Sequence, residues 1–120
     1  MKALVIVAHG SSREASNQEV IALAVRMKES LASEYPLVNA GFLELAEPLI
    51  PASIEQCIEQ GATDISVLPY FLSAGRHVQE DVPNEVQSVI NKFPQVKITI
   101  LSHIGGLPQM DNLIREAVLV

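Results

Sequence analysis

The stretch VLPYFLSAGRHVQEDVP, residues 67–83, carries more chemistry than a connector needs. Pro69 and Gly75 can bend the backbone, Arg76 can hold an anion, His77 can bind a divalent cation or move a proton, and Glu80 and Asp81 add carboxylates. Imidazole suits both tasks, because its ordinary pKa is about 6.5 and its neutral nitrogen ligates transition metals. Tyr70, Phe71 and Leu72 are large and apolar where a loop after a strand is normally polar, so they are expected to wall a pocket. A second histidine, His9, closes an earlier apolar run and is followed by Gly10, Ser11, Ser12 and Arg13. A carboxylate, Glu44, closes another.

These residues can act together only if the fold brings them to one edge. Ala3–Ala8 is continuously apolar and β-branched, the pattern of a strand covered on both faces. Ser11 with Glu14 fits a capping box for a first helix, which carries Val20, Leu23, Ala24, Met27 and Leu31 to about Ser33. Leu37–Leu43 reads as a second strand. Pro48 and Pro51 suit the first turn of a second helix that runs through Ile54, Cys57 and Ile58 to a stop at Gly61. Ile65–Leu68 is a third strand. Asp81 is placed as N-cap of a third helix marked by Val82, Val86, Val89, Ile90 and Phe93, and Pro94 ends it. Val96–Leu101 and Leu107–Val118 supply a fourth strand and a last helix. This alternation predicts an α/β fold with a four-stranded parallel sheet, right-handed crossovers and helices on both faces. Ligands of such sheets bind at the switch point beyond the carboxyl ends of the strands. With strand order 2-1-3-4, His9 and His77 overhang one crevice and Glu44 sits on its rim.

The totals narrow the function. The 120 residues suit one domain, 1–120, and the balance of eight basic against fourteen acidic residues, net −6, argues against nucleic-acid or anionic-membrane partners. The first apolar run is too short for a signal core or a membrane span and reads as a cytoplasmic first strand. Cys57 has no partner in the chain and reads as a buried, inert thiol in a reducing compartment. There is no Gly-x-Gly-x-x-Gly and no Walker lysine, so no nucleotide is expected. A lone histidine after a strand is usually a hydrogen-bonded loop residue, and His103 is read that way. Two histidines at matching strand ends make a shared site the better reading. Glu44 has two readings, ligand or proton acceptor against solvated strand end. Ser11 and Ser12 are caps first and ligand donors second. Arg13 and Arg76 are surface charges by default, yet they are the fixed cations beside the crevice, and an anionic ligand would use them.

Three motifs, VAHGSS at residues 7–12, FLELAEP at 42–48 and LPYFLSAGRHVQEDVP at 68–83, resemble the small, single-domain form of the class II tetrapyrrole chelatases, the cobaltochelatases related to sirohydrochlorin ferrochelatase. The likeness spans nearly the whole chain in order and spacing. It implies a three-layer chelatase-like domain of flavodoxin-like topology and ATP-independent insertion of a divalent metal into sirohydrochlorin. Cobalt is the leading metal, with iron or nickel as alternatives, and the product would lead to cobalamin, sirohaem or the nickel cofactor of methanogens. The resemblance implies His9 and His77 as the metal-site histidines, with Glu44 as an acidic residue facing them. Ser11, Arg13, Phe71, Leu72, Gly75 and Arg76 are then expected around the tetrapyrrole, apolar residues against the ring and arginines at its carboxylates. Many members have Gly-x-His-Pro after the last strand; here Leu107 replaces the histidine in Gly105, Gly106, Leu107, Pro108, and no role is carried over to it. Longer relatives hold two such domains in tandem, so a symmetric homodimer is expected. A non-catalytic metal- or tetrapyrrole-binding module is the competing reading. A phosphate or flavin binder is disfavoured, because neither loop has a glycine, serine and threonine run to cradle phosphate.

Overall fold

Ala3–Ala8 are apolar throughout, and the computed structural model, which describes residues 1–120, buries every one of them. They lie in β1 (Lys2–Ala8), flanked by β2 (Leu37–Phe42) on one side and β3 (Asp64–Pro69) on the other, with β4 (Lys97–Ile100) outside β3. All pairings are parallel and the order is β2-β1-β3-β4, as expected. A strand at the centre of a parallel sheet has no solvated face, which is why β1 lacks the polar alternation of a surface strand.

The period-two geometry of the strands sorts their side chains into two cores. Val5 and Val7 of β1 and Ile65 and Val67 of β3 pack against Ile50, Ile54 and Cys57 of α2 (Ile50–Glu59) and Val82, Val86 and Val89 of α3 (Val82–Lys92). Leu4, Ile6 and Ala8 turn to the opposite face. There they meet Val38 and Phe42 of β2 and Val20 and Ala24 of α1 (Glu14–Ser30). Each fully buried valine or isoleucine contributes about 1.5–3 kcal/mol relative to exposure. The last helix, α4 (Gln109–Val118), follows a 3-10 turn at Ile104–Gly106 and buries none of its residues. No helix is long and apolar enough to cross a membrane.

Several local expectations give way. The capping box at Ser11 and Glu14 does not form: α1 starts after Arg13 with no side-chain cap. Instead the Arg13 N–H donates to Ser11 Oγ at 3.0 Å, and Asn17, only 3% exposed, reaches back to the loop. Its Nδ2 donates to the Ser11 carbonyl at 2.8 Å and its Oδ1 accepts the Ser11 N–H at 2.9 Å. Asp81 does stand at the N-cap position of α3, but its backbone is already helical, φ −69° and ψ −47°, and its side chain makes no capping bond. A π-helical turn, His77–Asp81, runs straight into α3, and the Val82 N–H donates to the His77 carbonyl. The cause lies at Pro83, which has no N–H and whose ring would crowd the carbonyl one turn back; the wider turn accommodates it. Pro48 precedes α2, with only Pro51 in its first turn. The first helix ends at Ser30 rather than Ser33, and the last begins at Gln109 rather than Leu107.

Candidate active site

The crevice begins where β1 and β2 end together. Their ladder continues past the strands, with the Leu43 N–H donating to the Ala8 carbonyl at 3.0 Å and the Glu44 N–H to the His9 carbonyl at 3.1 Å. This approach demands glycine at Gly10. Its φ is +91°, and a Cβ there would sit 1.8 Å from the Glu44 carbonyl oxygen. Leu45, directly after Glu44, is also held at a left-handed φ of 65°, which is uncommon for a side-chain-bearing residue. The two loops therefore close tightly enough that Glu44 Oε1 lies 3.2 Å from His9 Nε2.

β3 delivers the second histidine. The Tyr70 N–H still pairs with the Val7 carbonyl at 2.7 Å, and a short loop then leads to Gly75, whose carbonyl accepts the Val78 and Gln79 N–H groups at 3.1 and 3.0 Å. His77 thus opens a helical turn rather than hanging from a loop. Its ring meets that of His9 edge-on, with centroids 4.5 Å apart and planes at 60°. Asp81, one turn on, places Oδ2 at 2.7 Å from His77 Nδ1.

The hydrogen-bond partners fix both tautomers. A carbonyl oxygen can only accept, so His9 Nδ1, 2.8 Å from the Gly10 carbonyl, carries the hydrogen. In the neutral ring Nε2 then holds a lone pair facing the Glu44 carboxylate, an arrangement that calls for a proton or metal ion between them. Asp81 likewise accepts from His77 Nδ1 and leaves His77 Nε2 free. Metal-binding histidines characteristically pair their second nitrogen with a carbonyl or carboxylate in this way. No group of three or more His, Cys, Asp or Glu side chains is arranged to hold a metal ion, so these residues make no closed cage. A cation on the imidazoles would keep positions free for a second ligand.

The crevice encloses about 250 Å³ and is lined by His9, Leu43, Glu44, His77, Asp81, Asn84 and Glu85. Six water molecules occupy about 180 Å³, so a hydrated divalent ion fits the space. A macrocycle does not fit and would have to lie across the mouth. Three carboxylates and no lysine or arginine line the crevice, which favours a cation.

His9, Glu44 and His77 are brought together. Ser11, Arg13, Phe71, Leu72, Gly75 and Arg76 do not line this crevice. Ser11 is engaged with Asn17, Arg13 is exposed at the start of α1, and Arg76 pairs with Glu80 at 3.1 Å on the surface. Gly75 has open space where a side chain would stand. The Phe71 ring lies 6.3 Å from that of His77. Tyr70, Phe71 and Leu72 form a separate apolar groove with Ile104, Met110 and Leu113. His103 packs its ring against Gly106, as a loop residue. A helix that begins at Asp81 gives no reason to place Asn84 and Glu85 beside His77. Once it is extended to His77, the residues His77, Asp81, Asn84 and Glu85 fall at i, i+4, i+7 and i+8 on one face.

Comparison with known proteins identifies the family and matches the fold. The sirohydrochlorin cobaltochelatase of Sulfolobus acidocaldarius is 34% identical over 116 residues, which cover 97% of this chain and 89% of that protein. The sirohydrochlorin ferrochelatase of Priestia megaterium is 39% identical over 98 residues, 82% of this chain but only 36% of that protein. SirB from Bacillus subtilis, solved with Fe³⁺, superposes with a TM-score of 0.85 at 32% identity, covering 96% of this chain and 45% of that one. The chain therefore spans less than half the length of these last two proteins. Residues 3–119 match the CbiX family, a span that includes both histidine loops and all of the sheet but Lys2, and the chain belongs to that family.

Proposed function

We propose that the chain, acting as one domain over residues 1–120, is a sirohydrochlorin chelatase that inserts a divalent metal without a nucleotide, with cobalt as the preferred ion. The observation that carries this reading is the pair of imidazoles in edge contact, each with Nδ1–H tied to an oxygen and Nε2 left as lone pair. Metallation releases two protons from pyrrole nitrogens as the metal enters the ring. The chain offers an acceptor for each, since His9 Nε2 faces Glu44 and His77 is backed by Asp81, so either imidazolium would have a carboxylate beside it. The small anionic crevice would take the ion, and the apolar shelf of Tyr70 to Leu72 supports a macrocycle seated outside it. Nearly full-length agreement with a cobaltochelatase supports cobalt, while the ferrochelatase likeness keeps iron as the competing ion. Imidazole and carboxylate alone do not discriminate strongly between them. A cytoplasmic, reducing setting fits a chain whose only cysteine is buried and unpaired.

The test is the anaerobic rate of absorbance change when sirohydrochlorin is mixed with Co²⁺, Fe²⁺ or Ni²⁺, for the wild type and for His9→Ala and His77→Ala. Wild-type acceleration, fastest with Co²⁺ and reduced about 100-fold or more in both variants, is the expected result. Stoichiometric binding of metal or ring with no acceleration by any ion would instead identify a carrier.

A further inference from the structure

Of the three carboxylates that line the crevice, two are engaged: Glu44 lies 3.2 Å from His9, and Asp81 lies 2.7 Å from His77. Glu85 is the third, and its carboxylate enters no ion pair and no hydrogen bond. Only its backbone carbonyl is used, by Ser88 Oγ at 2.7 Å. Asn84 beside it also has a free side chain and adds a neutral amide to the same wall.

Position on the helix decides what Glu85 can do. It stands eight residues past His77, so its Cα lies about 12 Å further along the axis. Long side chains on a helix lean towards its N-terminus, which brings the carboxylate back over the Asp81 turn, roughly 8 Å from an ion on His77 Nε2. That is too far to coordinate the ion and close enough to attract it. The row that starts at His77 thus has unlike ends. His77 adjoins the Phe71 ring and the apolar groove beyond it, whereas Glu85 closes the row with a free, exposed charge.

We propose that Glu85 is the capture residue for the metal: it draws the hydrated dication into the crevice without ligating it, and the imidazoles then take the ion. The inference rests on the chelatase reading above, which supplies the divalent ion as substrate. A dication roughly 8 Å from a carboxylate through water gains about 5- to 10-fold in affinity at low salt. At 1 M salt, where the screening length is about 3 Å, that gain disappears. Because the attraction follows charge and not ligand type, Co²⁺ and Ni²⁺ gain equally.

The test is the dissociation constant of Co²⁺ and of Ni²⁺, measured by competition with a chromophoric chelator at ionic strengths of about 0.01 M and about 1 M. Wild type, Glu85→Gln and Glu59→Gln are compared without tetrapyrrole. Glu59 is an exposed carboxylate at the last residue of α2, so its variant removes the same net charge away from the crevice. Glu85→Gln is expected to weaken both ions by about 5- to 10-fold at low salt and to match wild type at 1 M, while Glu59→Gln stays within about twofold of wild type throughout. Unchanged affinity in Glu85→Gln at low salt would overturn the proposal. So would a loss that persists at 1 M, which would make Glu85 a ligand or a support of the fold, or an equal loss in Glu59→Gln, which would leave only net charge. Failure of the chelatase reading shows separately, as a wild type that captures the ions in this way yet does not accelerate metallation of sirohydrochlorin.

Discussion

At the residue scale, the hydrogen bond from His77 Nδ1 to Asp81 Oδ2 at 2.7 Å decides which nitrogen the second histidine presents. Without that acceptor the ring is free to turn and to hold its hydrogen on either nitrogen. Asp81→Ala is therefore expected to lower kcat/KM for the metal by about 10- to 100-fold while leaving KM for the tetrapyrrole nearly unchanged. Asp81→Asn, which still offers an acceptor oxygen, should recover part of the loss. Steady-state insertion rates with metal and ring varied separately check this, and wild-type kinetics in Asp81→Ala would remove Asp81 from the site. Gly10 sets the other half of the geometry. Alanine there meets both a φ of +91° and the Glu44 carbonyl at 1.8 Å, so the β1 and β2 loops must part. Gly10→Ala should destabilise the fold by more than about 1 kcal/mol in urea titrations and weaken Co²⁺ binding, because His9 and Glu44 lose their register.

At the scale of elements, the sheet was legible because its strands are short apolar runs separated by helical periods and turn residues, and the alternation leaves few topologies. Strand order followed from the fold class, and with it the meeting of His9, Glu44 and His77. What was hidden depends on backbone detail that pattern does not carry. Nothing in HVQED announces a π-helical turn, and Asp81, two residues before Pro83, reads as a cap until the turn is seen to widen around that proline. Asn17 was hidden for a similar reason. It occupies a buried position on α1, where a polar residue breaks the stripe only to clasp the loop behind it. Removing it leaves the N–H and carbonyl of Ser11 without partners, a cost of about 1–3 kcal/mol. Asn17→Ala is thus expected to lower the urea midpoint with an unchanged m-value, and a midpoint equal to wild type would mean that water replaces the clasp.

At the scale of the whole molecule, the buried core provides its own probe in Cys57. The thiol is fully buried between α2 and the sheet, takes a hydrogen bond from Asn39 Nδ2 at 3.3 Å, and is pushed by desolvation from 9.0 up to about 11. A thiol must ionise to react, so in the native state it is both unreachable and neutral. Because the folded pKa is the higher one, the neutral thiol's contribution to stability is complete below pH 9.0 and is lost as the pH rises towards 11. Near pH 8, then, iodoacetamide should reach Cys57 only through unfolding, at least about 1,000-fold more slowly than in the denatured chain. Alkylation followed by mass spectrometry measures that ratio directly. A fast reaction at pH 8 would mean that the α2 side of the sheet opens without global unfolding.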